Sequence, residues 1–219
     1  QFQKSDSNNV NADQLRLFLK HASKTPYWGS LFKRYQVELG SSRNLLSEIK
    51  KLPVITKSDV LKNYSNIVSK IQEKSFFVNT SGTSGQRLKF PQTISMENKQ
   101  WAIWWRYRLL HNIRLHEWCG LFGGTAVVPP NQFKPPFWRN NFFNKQIMFS
   151  PIHLNIKNTI HYYNAIKIRK LTWLHGYPSQ ISNLASNILE LGLPPISSIK
   201  IITTGSESLL KHQKVIIKK

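Results

Sequence analysis

Apolar side chains recur at helical intervals through the first seventy residues. The segment 13–21 holds four of them in a helical setting, and residues 27–39 form a second candidate helix. After a short extended connector, Thr56 is the predicted N-cap of a helix that runs to Tyr64. Asp59, three residues further on, has the position of the reciprocal acceptor in a capping box. We therefore expect a helical N-terminal lead over residues 1–70.

The pattern changes at about residue 75. Residues 76–78 form a β-like apolar run, and 88–90 alternate as a returning strand that ends before Pro91. The turn-rich segment between them makes the layout a hairpin. Ser95 is the predicted cap of a helix that extends to about Leu115.

Helical and extended patterns alternate in the second half of the chain. We interpret 120–137 as a loop, because it is rich in glycine and proline. Helices are predicted at 159–169, at 178–191 and from Ser206 onwards, and strands at 171–174 and 199–203. Such alternation predicts an α/β fold in which helices pack on a mixed or parallel sheet, over residues 71–219.

Cysteine and hydropathy narrow the class of protein. Cys119 is the one cysteine, so no internal disulfide can form, and no Cys/His pair has zinc spacing. We expect Cys119 to be a small core residue. No apolar run approaches the ~18–20 residues of a membrane helix. These features predict a cytoplasmic protein with no metal site of its own.

The net charge of +21 is compatible with a polyanion partner. Basic residues are spread along the whole chain, and a joint excess of Lys, Asn and Ile is what an A/T-rich coding sequence produces. Trp101, Trp104 and Trp105, with Arg106 and Arg108, could stack on bases. Their helical spacing favours core packing with a basic outer face. Nucleic-acid binding therefore stays an alternative, and specific binding is not expected.

Candidate chemistry is concentrated in one loop that follows a predicted strand. It combines four hydroxyl side chains with two glycines: Thr80, Ser81, Gly82, Thr83, Ser84 and Gly85. Glycines let a backbone approach an anion, and hydroxyls add donors, so the loop suits phosphate binding. It lacks the spacing of a Walker A loop. A solvent-exposed hairpin turn is the alternative for such a loop taken alone.

Five short motifs occur in the order found in one superfamily. They are Thr25-Pro26-Tyr27-Trp28, the connector Leu52-Pro53-Val54-Ile55-Thr56-Lys57-Ser58-Asp59, the loop 80–85, Gly176-Tyr177-Pro178-Ser179 and Thr204-Gly205-Ser206-Glu207. In this ordered set the chain resembles the adenylate-forming superfamily, in particular its phenylacetate–CoA ligase and CapK-like capsule-biosynthesis branch. The resemblance implies a partial large N-terminal domain, with residues 71–219 as its nucleotide-binding portion.

The resemblance also implies an activity. ATP would activate a small carboxylic acid as an acyl-adenylate, and a thiol, coenzyme A, would then displace AMP. The loop would hold the nucleotide's phosphates together with Mg²⁺, and Gly205, Ser206 and Glu207 would line the adenine and acyl pocket. Where many members have a proline and a lysine after the last loop glycine, this chain has Gln86 and Arg87. Arg87 or Lys89 is the candidate for the phosphate charge, and a solvated strand residue is the alternative for either. His175 could face the acyl group, although an ordinary satisfied histidine is the stronger interpretation. Relatives of the phenylacetate type often form dimers, so a homodimer is one expectation from the resemblance.

The family's later elements have no counterpart in the sequence. Its magnesium-binding glutamate, ribose-binding aspartate and catalytic lysine are expected beyond residue 219, and both ends of the chain look cut. We therefore expect a truncated chain that is inactive alone, and a non-catalytic remnant is a further alternative. The identity of the acid lies beyond the sequence.

Overall fold

The computed structural model describes residues 4–40, 44–70, 73–80 and 87–219, with the backbone alone for 4–11. The chain divides into two compact units, Gln1–Glu97 and Asn98–Lys219. These units follow from contacts in the structure. The predicted division at residue 70 follows from the change between helical and extended patterns in the sequence, and it stays a prediction.

The first unit is helical and ends in a hairpin. Its helices and strands are α1 (Lys4–Ala22), α2 (Pro26–Arg34), α3 (Leu45–Ile49), α4 (Lys57–Lys62), α5 (Tyr64–Ile67), β1 (Ser75–Asn79) and β2 (Lys89–Thr93). Leu19, Phe32 and Leu45 form its buried cluster. The predicted helical character of this region is thus confirmed among the described residues.

The predicted capping box at the start of α4 is confirmed. The Asp59 backbone N–H donates to Thr56 Oγ1 at 3.2 Å, and the Asp59 carboxylate accepts from the Thr56 N–H at 2.9 Å. Hydrogen bonds to the Thr56 side chain and then to its backbone lower the pKa of Asp59. Each residue therefore satisfies a backbone donor at the helix start.

The hairpin of β1 and β2 is antiparallel, with Asn79 opposite Lys89 and Phe77 opposite Pro91. The expectation that the second strand ends before Pro91 is wrong, since β2 continues to Thr93. Both strands of a two-stranded ribbon are edges, and an edge tolerates a residue that lacks an N–H.

The second unit is a five-stranded sheet with helices. Its elements are α6, which begins in the first unit (Ile94–Leu110), β3 (Cys119–Phe122), β4 (Trp138–Asn141), β5 (Gln146–Phe149), α7 (Thr159–Ile168), β6 (Trp173–Gly176), α8 (Pro178–Glu190), β7 (Ile201–Thr204) and α9 (Lys211–Ile217). The strand order is β4-β5-β3-β6-β7. All neighbours are parallel except β4, which pairs with β5 in antiparallel fashion. The predicted mixed α/β class is confirmed.

The core of the second unit lies between the sheet and its helices. Phe122 stacks on Phe149, with ring centroids 4.7 Å apart, and Tyr162 packs against both rings. The Tyr162 hydroxyl donates to the Ser150 carbonyl at 2.7 Å, so the one polar atom of this buried ring is paired. This core fixes β3, the strand next to β6, and β5, the strand on the other side of β3.

Several predicted boundaries are wrong. β3 occupies the first part of the segment 120–137, which we expected to be a loop throughout. α6, the helix before β3, ends at Leu110 and does not reach Leu115, because Asn112 has φ 60° and the Ile113 N–H donates to the Arg108 carbonyl. α6 is capped by Thr93, whose hydroxyl accepts from the Met96 N–H at 3.1 Å, and Ser95 is not its cap.

The predicted helix from Ser206 is also wrong. Ser206 has φ 66°, in the left-handed region, and the next helix begins only at Lys211. The strands predicted at 171–174 and 199–203 begin two residues later, at Trp173 and Ile201. In the described ranges no helix is long and apolar enough to cross a membrane.

Candidate functional site

A cavity of about 430 Å³ opens in the second unit at the carboxyl ends of β6 and β7. In parallel α/β sheets this edge is where ligands bind, because loops leave the strands there and open a crevice. The lining residues come from α6, from the two strands and from the turn after β7: Ile103, Trp104, Tyr107, Arg108, His175, Thr203, Thr204, Gly205 and Ser206.

His175 is fixed by the neighbouring strand. Its Nδ1 lies 2.9 Å from Thr203 Oγ1 and 3.2 Å from the Thr203 carbonyl oxygen. A carbonyl can only accept, so this contact favours the tautomer with the proton on Nδ1. Trp173 Nε1 donates to the same threonine hydroxyl at 2.9 Å. The imidazole is thus oriented from one side, and Nε2 keeps its lone pair.

Arg108 is the charged group of the cavity, and its residue is 7% exposed. Three indoles of α6 and one of β6 surround it, with guanidinium-to-centroid distances of 5.8 Å (Trp101), 5.5 Å (Trp104), 4.9 Å (Trp105) and 4.9 Å (Trp173). These distances are within the range of cation–π attraction. In the part of the chain that the structure describes, no carboxylate pairs with the guanidinium and no oxygen accepts its N–H groups.

Burial sets the protonation of the groups near Arg108. It lowers the pKa of the Arg108 guanidinium, which nevertheless keeps its proton at neutral pH because an arginine starts so high. Burial and then the Arg108 charge lower the pKa of His175, so the imidazole is neutral at pH 7. Burial raises the pKa of Cys119 to about 12. The expectation that Cys119 is a small core residue is confirmed, since it is buried.

Of the predicted pocket segment Gly205–Glu207, the structure places two residues at the cavity and the third elsewhere. Gly205 and Ser206 line the cavity beside His175, and the Gly205 N–H donates to the Gly176 carbonyl at 3.2 Å. Glu207 is not among the lining residues. Its carboxylate accepts from the Ser179 N–H at 3.2 Å and so lies at the N-terminus of α8, where a negative charge is favoured.

The phosphate-binding prediction falls on the hairpin of the first unit. The residues 81–85 lie outside the described residues. Thr80 closes the hairpin, since its N–H donates to the Leu88 carbonyl at 2.9 Å and its hydroxyl accepts from the Leu88 N–H at 3.1 Å. Lys89 Nζ lies 4.1 Å from the centroid of the Phe77 ring. These contacts describe how the two residues are held, and their role stays a prediction.

Sequence reasoning missed the inward position of Arg108 and the part played by Thr203. We expected a basic outer face on α6, yet Arg108 is buried. The spacing contained the signal: Trp104 and Trp105 precede Arg108 by four and three residues, so all three share one helix face. Trp101 and Trp104 are 41% and 43% exposed, so the tryptophans are only partly core residues.

Comparisons with known proteins bear on the sequence and on the fold. No family model matches the chain. The protein CapK of Staphylococcus aureus is 28% identical over 163 residues, which are 73% of this chain and 36% of CapK. A 2-hydroxyisobutyryl-CoA ligase in an open conformation, in complex with 2-HIB-AMP and CoA, superposes with a TM-score of 0.65 at 13% identity. The same ligase in its thioesterification state also gives 0.65, at 15% identity.

Each of the two superpositions includes 99% of this chain, so the structural likeness extends over nearly all of it. The chain has the fold of an adenylate-forming ligase. The resemblance to that superfamily and to CapK, inferred from the ordered motifs, is thus confirmed. The chain spans about half the length of the ligases (53% and 47%) and about a third of CapK.

Proposed function

We propose that the protein takes part in the ATP-dependent activation of a carboxylic acid and in its transfer to coenzyme A. A carboxylate oxygen attacks the α-phosphorus of ATP, the bond to pyrophosphate breaks, and an acyl-adenylate forms. The thiol of coenzyme A then attacks the acyl carbon and loses its proton, and AMP leaves. A place in the synthesis of a capsular or surface polysaccharide is a finer proposal, supported by the likeness to CapK.

The observation that carries the proposal is the cavity at the ends of β6 and β7. Two residues of a predicted ligand-binding motif, Gly205 and Ser206, line it, and the fold around it is that of an adenylate-forming ligase. Its volume falls within the range of about 300–1,000 Å³ typical of small-molecule sites. We infer that it receives the acyl group, with the neutral His175 beside it. The solved ligases hold an acyl-adenylate and CoA, which supports the same ligand classes here.

The residues of the hairpin loop fit a nucleotide's phosphates in their chemistry. Thr80 accepts a backbone hydrogen bond, so its own O–H proton is available to a phosphate oxygen. Ser81, Thr83 and Ser84 would add hydroxyl donors, and Gly82 and Gly85 would let the backbone approach. Lys89 would add positive charge, and Mg²⁺ would neutralise the rest of the phosphate charge when it is bound with ATP. These residues would position the phosphates and screen their charge.

Titration calorimetry of the full-length protein with ATP and magnesium tests the loop. A Gly82→Val, Gly85→Val double variant should bind ATP at least about tenfold more weakly, because the added side chains hold the backbone donors away from the anion. Gly40→Val is the matched control, since nothing lies within 4 Å of a Cβ at that glycine. An unchanged affinity in the double variant would remove the loop from the proposal.

A further inference from the structure

Arg108 presents a buried positive charge to the cavity without a negative partner in the described part of the chain. A cation taken out of water is costly unless an opposite charge or strong hydrogen bonds replace the water. The four indoles replace only part of that hydration. The ring faces attract the guanidinium, but they accept no hydrogen bond from the N–H groups that lie in the guanidinium plane.

We propose that Arg108 binds a second anionic group of the acid, so that the substrate class is a dicarboxylic or similarly doubly anionic acid. The inference rests on the proposed function, since it takes the cavity as the acyl pocket. Arg108 would be a specificity residue, and the reacting carboxylate would lie elsewhere in the cavity.

The chemistry of the reaction favours a second anion over the reacting one. The reacting carboxylate loses its charge when it becomes the acyl-adenylate, and it stays uncharged in the thioester. A guanidinium paired to it would favour the ground state, which raises the barrier to the first step. A second carboxylate keeps its charge through both steps, so Arg108 stays paired throughout.

The neighbours of Arg108 fit this assignment. His175 is kept neutral, so it adds no competing positive charge and leaves the guanidinium as the anion's partner. Thr204 lines the same cavity and supplies a hydroxyl that can hydrogen-bond a carboxylate, whereas the Thr203 hydroxyl already donates to the Leu174 carbonyl at 3.4 Å. Ile103 and Trp104 supply an apolar wall for the methylene chain between two carboxylates.

Calorimetry with matched pairs of acids tests the inference without nucleotide. The pairs are succinate and butyrate, glutarate and pentanoate, and adipate and hexanoate, which differ only in the second carboxylate. The protein should bind at least one diacid about tenfold or more tightly than its partner, which is the range of one or two charge-assisted hydrogen bonds. Equal binding within every pair, or no diacid binding, overturns the proposal.

Variants of α6 localise the effect. Arg108→Met should abolish the preference, so that the diacid binds no more tightly than its monoacid partner. Arg106→Met, an exposed arginine of the same helix, should change neither affinity. If Arg108→Met does not fold, Arg108→Lys is the second variant. It keeps the positive charge but lacks the paired N–H donors of arginine, so it should retain part of the preference. A full preference for the diacid in a folded Arg108→Met variant overturns the proposal.

Pyrophosphate exchange with the full-length protein separates this inference from the proposed function. A diacid preference in binding, without exchange for any acid, leaves the Arg108 site standing and contradicts the ligase activity. Exchange that favours monoacids and does not change in Arg108→Met supports the ligase and contradicts the Arg108 site.

Discussion

Gly176 ends β6 at a point where the parallel strand β3 leaves no room for a side chain. A Cβ at this position would meet the Phe122 backbone oxygen and would lie 2.7 Å from the Phe122 Cβ. Gly176→Ala must therefore push the two strands apart, and we expect a loss of about 1–3 kcal/mol in the free energy of unfolding. The midpoint of urea denaturation measures this loss.

Gly123→Ala is the matched control for that substitution. Position 123 follows β3 directly, and nothing lies within 4 Å of a Cβ there. Its effect should stay within about 0.5 kcal/mol of the wild type. Equal midpoints for the two variants would contradict the close strand approach at the edge of the candidate site.

Single residues differ in how far their sequence context determined their position. Thr56 and Asp59 were predictable because a capping box depends on neighbours three residues apart. Arg108 was not, because an arginine is almost always exposed unless a partner is present. One part of its aromatic surroundings, Trp173, lies on a strand far along the chain. Such a site follows from tertiary contacts, which local patterns do not contain.

At the level of elements, α4 allows a direct test of its cap. Thr56→Ala removes the hydroxyl that accepts from Asp59 N–H, and such losses cost about 1 kcal/mol. Urea denaturation, or the protection of the first α4 amides from hydrogen exchange, measures the effect. Ser58→Ala, an exposed site in the same first turn, should change stability much less.

The cap should also depend on pH. Its hydrogen bonds lower the pKa of Asp59 below the ordinary value of 3.8, so the folded state binds this proton less readily than the unfolded state. The contribution is therefore present above that pH and is lost as the pH falls through the lower pKa of the folded state. The difference between wild type and Thr56→Ala should narrow there. A difference that stays constant with pH would contradict the reciprocal contact.

The helices of the second unit were predictable where their ends carry local signals. Pro178 begins α8 and Gly192, with φ 62°, ends it. The strands were less predictable. β4 has the sequence Trp-Arg-Asn-Asn, whose polar residues carry no strand signal, and it is a strand because it pairs with β5. β3 was hidden in a glycine-rich segment, where burial between two parallel strands decides the structure.

For the molecule as a whole, the large net charge had left nucleic-acid binding open. Arg108 cannot contribute to a phosphate contact on the surface, because it is buried among four indoles. The remaining basic residues are spread along the chain, which favours diffuse attraction over a defined groove. The +21 charge should thus produce non-specific association with polyanions at low salt.

Salt separates this association from binding to the candidate site. Affinity for a DNA duplex should fall by about 10³-fold or more between about 50 and 200 mM salt if six or more phosphates are contacted, because binding releases condensed counterions. ATP with magnesium has no such counterion layer, and only ordinary screening acts on it. Its affinity should fall by less than about tenfold over the same range, as measured by calorimetry.

Variants of α6 and of the segment after it show which arginines contribute to DNA binding. Arg106→Met and Arg114→Met remove exposed charges, so each should lower the salt slope for DNA, by about one if that arginine contacts a phosphate. Arg108→Met should leave the slope unchanged, because its guanidinium does not reach the surface. DNA binding that resists salt, or that requires Arg108, would contradict this view of the charge and would favour a built nucleic-acid site. The predicted pattern instead assigns the surface cations to diffuse attraction and the buried Arg108 to the ligand of the cavity.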